Sequence, residues 1–317
     1  MHAALVTSFD QPPHYADVAE PDPGPHEVVV DVLAAGLHPR VRSQANGSHY
    51  TSTDELPLIP GIDGVGRRGD GSLLYFVLPD TRFGTMAERV AVDARRAVEL
   101  PADADPVLLA AAMNPAMSSW VALRRRVAFH AGQHVMILGA TGNAGQLAIQ
   151  VARQLGAAHV VAVGRGPALG LLPDLGADVV VPLDGDPRQV AADLGKAAAD
   201  IDVVLDFLWG APTANAIAPV VVGRTDSARS LDWVQIGSVA GPDITLPSAA
   251  LRAANLRLLG SGQGSVSPAG ILGELPALAE LITTGAFAAH AEATPLSDVE
   301  KAWTAAPVAG NRVVLCP

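Results

Sequence analysis

Three regularly spaced glycines, Gly139, Gly142 and Gly145, form the pattern with the clearest chemical consequence in this chain. Glycine has no Cβ, so its backbone can turn sharply and a bulky anion can approach the main chain. The preceding run His134–Leu138 predicts a buried strand, and Ala144–Leu155 predicts a helix. A helix N-terminus offers unpaired N–H groups and partial positive charge, which suit a pyrophosphate. We therefore predict a dinucleotide site; the alternative is a turn that needs glycine only for close packing.

The residue about 20 positions after the glycine turn distinguishes the two nicotinamide dinucleotides. An NAD site usually has an acid there for the adenosine ribose, whereas an NADP site has a cation for the 2′-phosphate. Arg165 stands at this place, and the nearest acid, Asp174, lies too far along the chain. A guanidinium can bind a phosphate through paired charge-assisted hydrogen bonds. The sequence thus predicts NADPH as the cofactor; the alternative for Arg165 is a solvated surface residue.

Composition limits the class of protein. A chain of 317 residues favours two domains, and 49% hydrophobic residues are enough for a large core. The net charge of −11 argues against nucleic acid or an anionic membrane as a general partner. The single cysteine, Cys316, excludes an internal disulfide and a cysteine-cluster metal site. We see no signal-peptide pattern and no stretch approaching the roughly 20 apolar residues of a membrane span, so we expect a cytoplasmic protein.

Two kinds of pattern divide the chain. Up to about residue 115, short apolar runs are separated by segments rich in Pro, Gly and Asp, such as 57–66, which predicts a β-rich domain with irregular connections. Strand and helix patterns then alternate, which predicts a doubly wound parallel sheet of the α/β class. A helix over 270–284 closes this sheet. We draw the domains as 1–115, with a return segment 288–317, and 116–287.

Local signals also mark two helix ends. Gly156 is predicted to end the helix after the glycine turn in a left-handed conformation. In the return segment, Ser297 and Glu300 have the spacing of a capping box at a helix N-terminus.

Six short motifs occur in the order and at the spacing of one known superfamily. They are Ala34–Pro39, Pro60–Gly66, Phe83–Glu88, Gly139–Gly145, Leu175–Asp178 and Asp202–Asp206. Together they resemble the medium-chain dehydrogenase/reductase superfamily and, within it, the zinc-free branch of NADPH:quinone oxidoreductases and enone reductases. The resemblance covers nearly the whole chain. It implies a Rossmann domain, a β-rich GroES-like catalytic domain and a homodimer.

Zinc-dependent members of this superfamily hold a catalytic metal through three protein ligands. The corresponding places here are His38, Ile62 and the segment Met113–Pro115, and only His38 can bind a metal. We therefore predict no metal site. The resemblance leaves two alternatives for His38, because the quinone reductases carry Asn there: a packed loop histidine, or a hydrogen-bond donor near the nicotinamide.

The resemblance also supplies candidates for catalysis and cofactor binding. Tyr50 resembles the tyrosine at the quinone pocket, and the alternative for it is an exposed loop aromatic. His38, His49 and Arg40 are other donors to the developing negative charge. No dedicated proton donor is assigned, and water can supply the proton. The predicted cofactor residues are Gly139, Gly142, Asn143, Ala144, Gly145, Arg165, Ser119, Phe207, Gly237, Ser238 and Asn311.

These residues predict an NADPH-dependent, zinc-independent oxidoreductase that transfers a hydride to a quinone or an α,β-unsaturated carbonyl, both small-molecule substrates. The alternative is a non-catalytic NADPH-binding redox sensor, or an interaction protein, on the same fold. His38, Ile62 and Trp209 depart from the branch pattern, since Trp209 stands in a usually glycine-rich segment. They indicate a pocket unlike that of the common quinone reductase.

Overall fold

The computed structural model describes residues 1–306, 308 and 310–317. Within them the strands are β1 (His2–Leu5), β2 (His14–Asp17), β3 (Glu27–Gly36), β4 (Asp63–Arg68), β5 (Leu73–Val77), β6 (Arg89–Asp93), β7 (Ala97–Leu100), β8 (His134–Leu138), β9 (His159–Gly164), β10 (Val179–Pro182), β11 (Val203–Asp206), β12 (Leu231–Gln235), β13 (Leu256–Gly260), β14 (His290–Pro295) and β15 (Asn311–Cys316). The helices are α1 (Pro39–Ala45), α2 (Pro106–Val121), α3 (Asn143–Gln154), α4 (Pro187–Ala197), α5 (Gly210–Val222), α6 (Ala250–Ala253), α7 (Pro268–Leu272), α8 (Leu275–Thr283) and α9 (Val299–Thr304).

The chain divides into two compact units, residues 1–114 with 275–317, and residues 115–274. The first boundary falls inside α2, which continues beyond Val121 as a π-helical turn, Ala122–Arg126. The sequence-based boundary had placed α8 with the parallel-sheet domain, whereas the compact units place it with the β-rich one.

The unit of residues 115–274 is built on a six-stranded parallel sheet with the order β10-β9-β8-β11-β12-β13. The direction of winding reverses at β8, which has β9 on one side and β11 on the other. The central strands are continuous apolar runs, and Val135–Leu138 are all buried, as expected for a sheet covered on both faces. In sheets of this type ligands bind beyond the carboxyl ends of the strands, at the point of reversal.

The other unit contains a seven-stranded sheet with the order β14-β15-β3-β4-β5-β7, and β6 pairs with β3. Only the β14–β15 pair is parallel among these neighbours. β1 and β2 form a separate antiparallel pair. Apolar side chains from β3, β5 and β6 pack together, including Val30, Phe76 and Val92. The predicted α/β fold, a doubly wound parallel sheet with a β-rich domain, is confirmed.

Three local predictions were wrong. The segment 57–66 was predicted to be irregular, but β4 begins at Asp63. The helix predicted over 270–284 is instead two helices, α7 and α8; between them lies the buried Glu274, whose carboxylate binds Arg124 and Arg125 at 2.5 and 2.6 Å. The capping box does not form, since a 3-10 turn precedes α9 and its N-cap makes no side-chain hydrogen bond.

The expectation about membrane spans also needs correction. One helix in the described part of the chain, Pro106–Arg126, has 21 residues and an 18-residue window of mean hydropathy 1.3, enough in length and composition to span a bilayer. Of that window, 67% is buried within the protein, a pattern that core helices of folded domains also show.

Candidate active site

The glycine turn connects β8 to α3 and is fixed against the end of β9. Gly139 has φ +88°, in the left-handed region that favours glycine. The N–H groups of Gly139 and Ala140 both donate to the Val163 carbonyl at 2.9 Å. Gly142 then donates to the Gly139 carbonyl at 3.1 Å and becomes the N-cap of α3. The start of α3 is thereby held at the carboxyl end of the sheet.

The glycines of the turn differ in what the surrounding protein requires of them. A Cβ at Gly145 would lie well inside 3.0 Å of the Gly139 carbonyl oxygen, so packing alone requires glycine there. A Cβ at Gly142 would meet only that oxygen, at 3.6 Å, an ordinary contact. Packing therefore accounts for Gly145 but leaves room at Gly142. That room is where a ligand can approach the N-terminus of α3, whose first turn contains Asn143 and Ala144.

Four more predicted cofactor residues lie at the same edge of this sheet. Arg165 directly follows β9 and is exposed. Phe207 follows β11, while Gly237 and Ser238 lie just beyond β12; Phe207 is buried and Ser238 is exposed. Because β9 and β11 flank β8, Arg165 and Phe207 lie on opposite sides of the glycine turn. The structure thus arranges these residues along one line across the carboxyl ends of the strands.

Ser119 and Asn311 belong to other elements, α2 and β15, and each side chain already makes a hydrogen bond. Ser119 is fully buried in α2, and its hydroxyl donates to the Ala116 carbonyl at 3.1 Å. Asn311 opens β15, and its amide donates to the Glu292 carboxylate at 2.9 Å. Nothing in these contacts assigns either residue to a cofactor, so both roles remain predictions.

The turn between β11 and α5 is organised by Asp206, a residue that sequence reasoning did not single out. Its buried carboxylate accepts four hydrogen bonds at 2.8–3.1 Å. The donors are the N–H groups of Leu208 and Trp209, the Thr213 hydroxyl and the Trp233 indole. Such a set of donors satisfies a charge that would otherwise be costly to bury. An acid ending an apolar strand pattern, as in Asp202–Asp206, was the available signal.

Trp209 has a backbone conformation that is rare for its type. Its φ of +53° and ψ of −161° lie near a region populated almost only by glycine, and no other non-glycine residue in the described ranges has positive φ. A conformation of this kind costs on the order of 1–3 kcal/mol and persists only where the surroundings enforce it. Here the hydrogen bonds to Asp206 enforce it.

In the β-rich unit, His38 belongs to a buried polar cluster with Asp63 and Tyr75. Asp63 Oδ1 lies 3.0 Å from His38 Nε2, and the Tyr75 hydroxyl donates to Asp63 Oδ2 at 2.9 Å. A carboxylate can only accept, so Nε2 carries the proton and Nδ1 of a neutral His38 is an acceptor. The donor that the sequence prediction required of His38 is therefore used within the protein. Its role near a nicotinamide remains a prediction.

Burial keeps His38 neutral. Burial lowers the pKa of His38 below its ordinary value, outweighing the opposite effect of the Asp63 hydrogen bond and charge. Burial also raises the pKa of the Tyr75 phenol, so it stays protonated as a donor. Arg312 donates to the Leu37 carbonyl at 3.1 Å, and burial lowers its pKa to about 10.

Tyr50 lies in the loop after α1 and is 72% exposed. Its ring packs against the His49 ring at an interplanar angle of 31°, with centroids 4.4 Å apart. His49 Nδ1 accepts the Thr51 N–H at 3.2 Å, so neutral His49 carries its proton on Nε2. Arg40 forms an ion pair with Asp80 at 2.8 Å. Both His49 and Tyr50 can donate a hydrogen bond from this loop.

Among the residues that the structure describes, no group of three or more His, Cys, Asp or Glu side chains could hold a metal ion. His38 and Asp63 lie together, and the neighbouring Ile62 is buried and has no ligand atom. The absence of a metal site stays a prediction to be tested chemically.

We expect His38→Asn to reduce the loss of folding stability that the wild type shows as the pH falls. Because the pKa of His38 is lower in the folded protein than its ordinary 6.5, the unfolded chain binds more protons as pH falls through that value. The wild-type free energy of unfolding should fall from about pH 7.5 to below 6.5, and less so in the variant. Urea unfolding at each pH measures it. The matched control is His130→Asn at an exposed histidine, and equal slopes for wild type and His38→Asn would contradict the expectation.

Comparisons with known proteins place the chain among nicotinamide-dependent reductases. No family model matches. The chain is 31% identical over 361 aligned positions to a probable NADPH-dependent quinone reductase of Emericella nidulans, covering all of both proteins. It is 27% identical to a chloroplastic NADPH-dependent alkenal/one oxidoreductase of Arabidopsis thaliana, over 71% of this chain and 66% of that one. The quinone oxidoreductase from Thermus thermophilus, solved alone and with NADPH, is 25% identical over the full length of both chains, with a TM-score of 0.79.

Proposed function

Because the chain belongs to the quinone oxidoreductase branch of the medium-chain dehydrogenase/reductase superfamily, we propose that it transfers a hydride from NADPH to a quinone or an α,β-unsaturated carbonyl. The observation that carries this proposal is the β8–α3 turn, where packing leaves space at Gly142 beside a helix N-terminus. With Arg165 beyond the adjacent strand, the turn fits a dinucleotide that carries a 2′-phosphate.

NADPH would be held by this chain through three kinds of contact. The N–H groups at the start of α3 suit the pyrophosphate, Arg165 suits the 2′-phosphate, and the ends of β11 and β12 suit the other half of the dinucleotide. The cofactor supplies the hydride, and the protein orients it and stabilises charge on the acceptor oxygen. Donors such as Tyr50 and His49 are proposed for that oxygen, with water as the source of the proton.

The direct test is NADPH oxidation in the presence of a panel of quinones and enones. We expect turnover that requires an acceptor and is faster with NADPH than with NADH at equal subsaturating concentration. Tight NADPH binding without turnover of any acceptor would favour the alternative, a redox sensor on the same fold. No binding of NADPH would reject the proposal altogether.

We also propose that the activity is independent of zinc. Support comes from the donor set, since Ile62 stands where zinc-dependent relatives need a histidine ligand. Activity should survive dialysis against EDTA and 1,10-phenanthroline, and purified protein should contain no stoichiometric zinc. Loss of activity on chelation with recovery on adding zinc would refute it.

We propose two further properties: a homodimer, from the family resemblance, and a cytoplasmic location, from the composition with its single cysteine. The mass of the chain is 32.5 kDa, so sedimentation equilibrium distinguishes a dimer from a monomer directly. Fractionation of the source cells tests the location.

A further inference from the structure

We propose that Trp209 forms one wall of the hydride-acceptor subsite and that its indole selects planar quinones over acyclic enones. This inference rests on the proposed function and deepens it, because it names which of the two acceptor classes the protein prefers. Among the residues that the structure describes, Trp209 is the one non-glycine residue with positive φ.

The turn that contains Trp209 packs against the glycine turn. Leu208 lies directly against the glycine turn, since a Cβ at Gly139 would come within 3.0 Å of the Leu208 side chain. The Leu208 carbonyl also accepts the Ala240 N–H at 2.9 Å, which joins this turn to the loop after β12. Trp209 therefore follows a residue in contact with the predicted pyrophosphate site.

The nicotinamide half of a bound dinucleotide would lie on the side of the sheet where Trp209 is found. Arg165 follows β9, the strand whose end receives the adenosine ribose in this type of sheet. The sheet order places β9 and β11 on opposite sides of β8. A dinucleotide whose pyrophosphate lies at the β8–α3 turn must then extend its nicotinamide half toward β11 and β12. The hydride acceptor has to lie next to the nicotinamide, about 3–3.5 Å from it, and so in the neighbourhood of Trp209.

Hydrogen bonds hold the Trp209 backbone in its strained conformation. The Trp209 backbone is fixed by its N–H bond to Asp206, and Asp206 is fixed in turn by Thr213 and the Trp233 indole. Glycine at position 209 would adopt the same φ without strain. A large aromatic side chain in such a conformation needs a reason outside backbone geometry, and strained residues concentrate at ligand sites.

The Trp209 indole has a surface on which an aromatic ligand can stack. The indole of Trp209 is partly buried, and its N–H has no hydrogen-bond partner among the described residues. Indole offers a broad π face, on which a planar electron-poor ring can stack. A quinone has such a ring, whereas a short acyclic enone has only a small planar group. The preference should therefore appear as a ratio between acceptors.

The experiment compares the wild type with Trp209→Gly and Trp209→Phe. Glycine removes the indole and relieves the backbone, so that folding is retained, and phenylalanine keeps a smaller aromatic face. We expect Trp209→Gly to lose about tenfold in kcat/KM for 1,4-naphthoquinone, equivalent to one stacked ring with its buried area, and less than about twofold for but-3-en-2-one. The Kd for NADPH should stay within about twofold of wild type. Trp209→Phe should lie between the two. Trp303→Phe, in α9 and stacked on Arg42 with 5.3 Å to the centroid, is the matched control and should leave the ratio unchanged.

Equal losses for both acceptors, a loss carried by the Kd for NADPH, or no loss would each overturn the inference. Failure of the proposed function has a different signature, because the wild type would then turn over neither acceptor. In that case, naphthoquinone binding to NADP⁺-loaded protein decides: binding weakened by Trp209→Gly supports the subsite, and unchanged binding or none to the wild type overturns it.

Discussion

Gly145→Ala is expected to reduce NADPH affinity by at least about 100-fold and to destabilise the protein by about 3 kcal/mol. The added methyl group would lie well inside 3.0 Å of the Gly139 carbonyl oxygen, which is backbone and cannot rotate away. The start of α3 would have to move off the end of β8, taking its N–H groups away from the pyrophosphate. Titration of protein fluorescence with NADPH measures the affinity, and urea unfolding measures the stability.

Gly142→Ala and Gly170→Ala provide a matched series. At Gly142 the new methyl group makes only an ordinary contact, so stability should hold while NADPH binding weakens, because the space is needed by the ligand. At Gly170, where a Cβ would have no neighbour within 4 Å, neither quantity should change beyond the small effects of surface substitutions. If Gly142→Ala bound NADPH as well as the wild type, the anion would not approach there, and the glycine spacing would reflect packing alone.

The contrast between these glycines shows what sequence can predict about the site. The β8 strand and the α3 helix were predicted within one residue at each end, and Gly156 does adopt positive φ. These features are local, because the patterns for strand, turn and helix lie in adjacent segments of the sequence. A strand buried on both faces also has a continuous apolar run. However, packing requires glycine at 145 and leaves space at 142 because of the direction of the Gly139 carbonyl. That direction is known only from the folded turn.

The β-rich unit was harder to predict for a physical reason. β4 has the sequence Asp-Gly-Val-Gly-Arg-Arg, which lacks an alternating apolar pattern. It becomes a strand because it pairs with β3 on one side and β5 on the other. Long-range pairing therefore overrides local propensity here. The failure to predict β4 affects the candidate site, because Asp63, the first residue of β4, is the partner of His38 and Tyr75.

Both buried acids illustrate the same limit. Asp63 lies 25 residues from His38 in sequence, and Asp206 lies 27 residues from Trp233. Each acid stood inside a motif that was noticed for its order in the chain. Neither motif indicates that the carboxylate would collect donors from several elements. An acid at a strand end thus predicts a buried polar centre only once the neighbouring strands are known.

Arg165 is the residue on which the choice of NADPH over NADH depends. It is exposed beyond β9, where the adenosine ribose is received in this type of sheet, and the Asp184 carboxylate accepts the N–H of the adjacent Gly166 at 3.2 Å. A charge-assisted hydrogen bond contributes about 1.5–3 kcal/mol, so loss of one such contact corresponds to roughly 10- to 150-fold in affinity. The 2′-phosphate is the one group that distinguishes the two cofactors, so the effect should fall on NADPH alone.

We therefore expect Arg165→Ala to raise the Kd and KM for NADPH by roughly 10- to 150-fold and to change those for NADH by less than about twofold. Raising the salt concentration should narrow the difference, because an exposed ion pair is screened. Arg165→Lys should recover part of the affinity, since it restores the charge but not the paired hydrogen bonds. Arg252→Ala, at an exposed arginine in α6 of the same unit, is the control and should leave both cofactors unaffected. Equal losses for NADPH and NADH in Arg165→Ala would place Arg165 away from the 2′-phosphate.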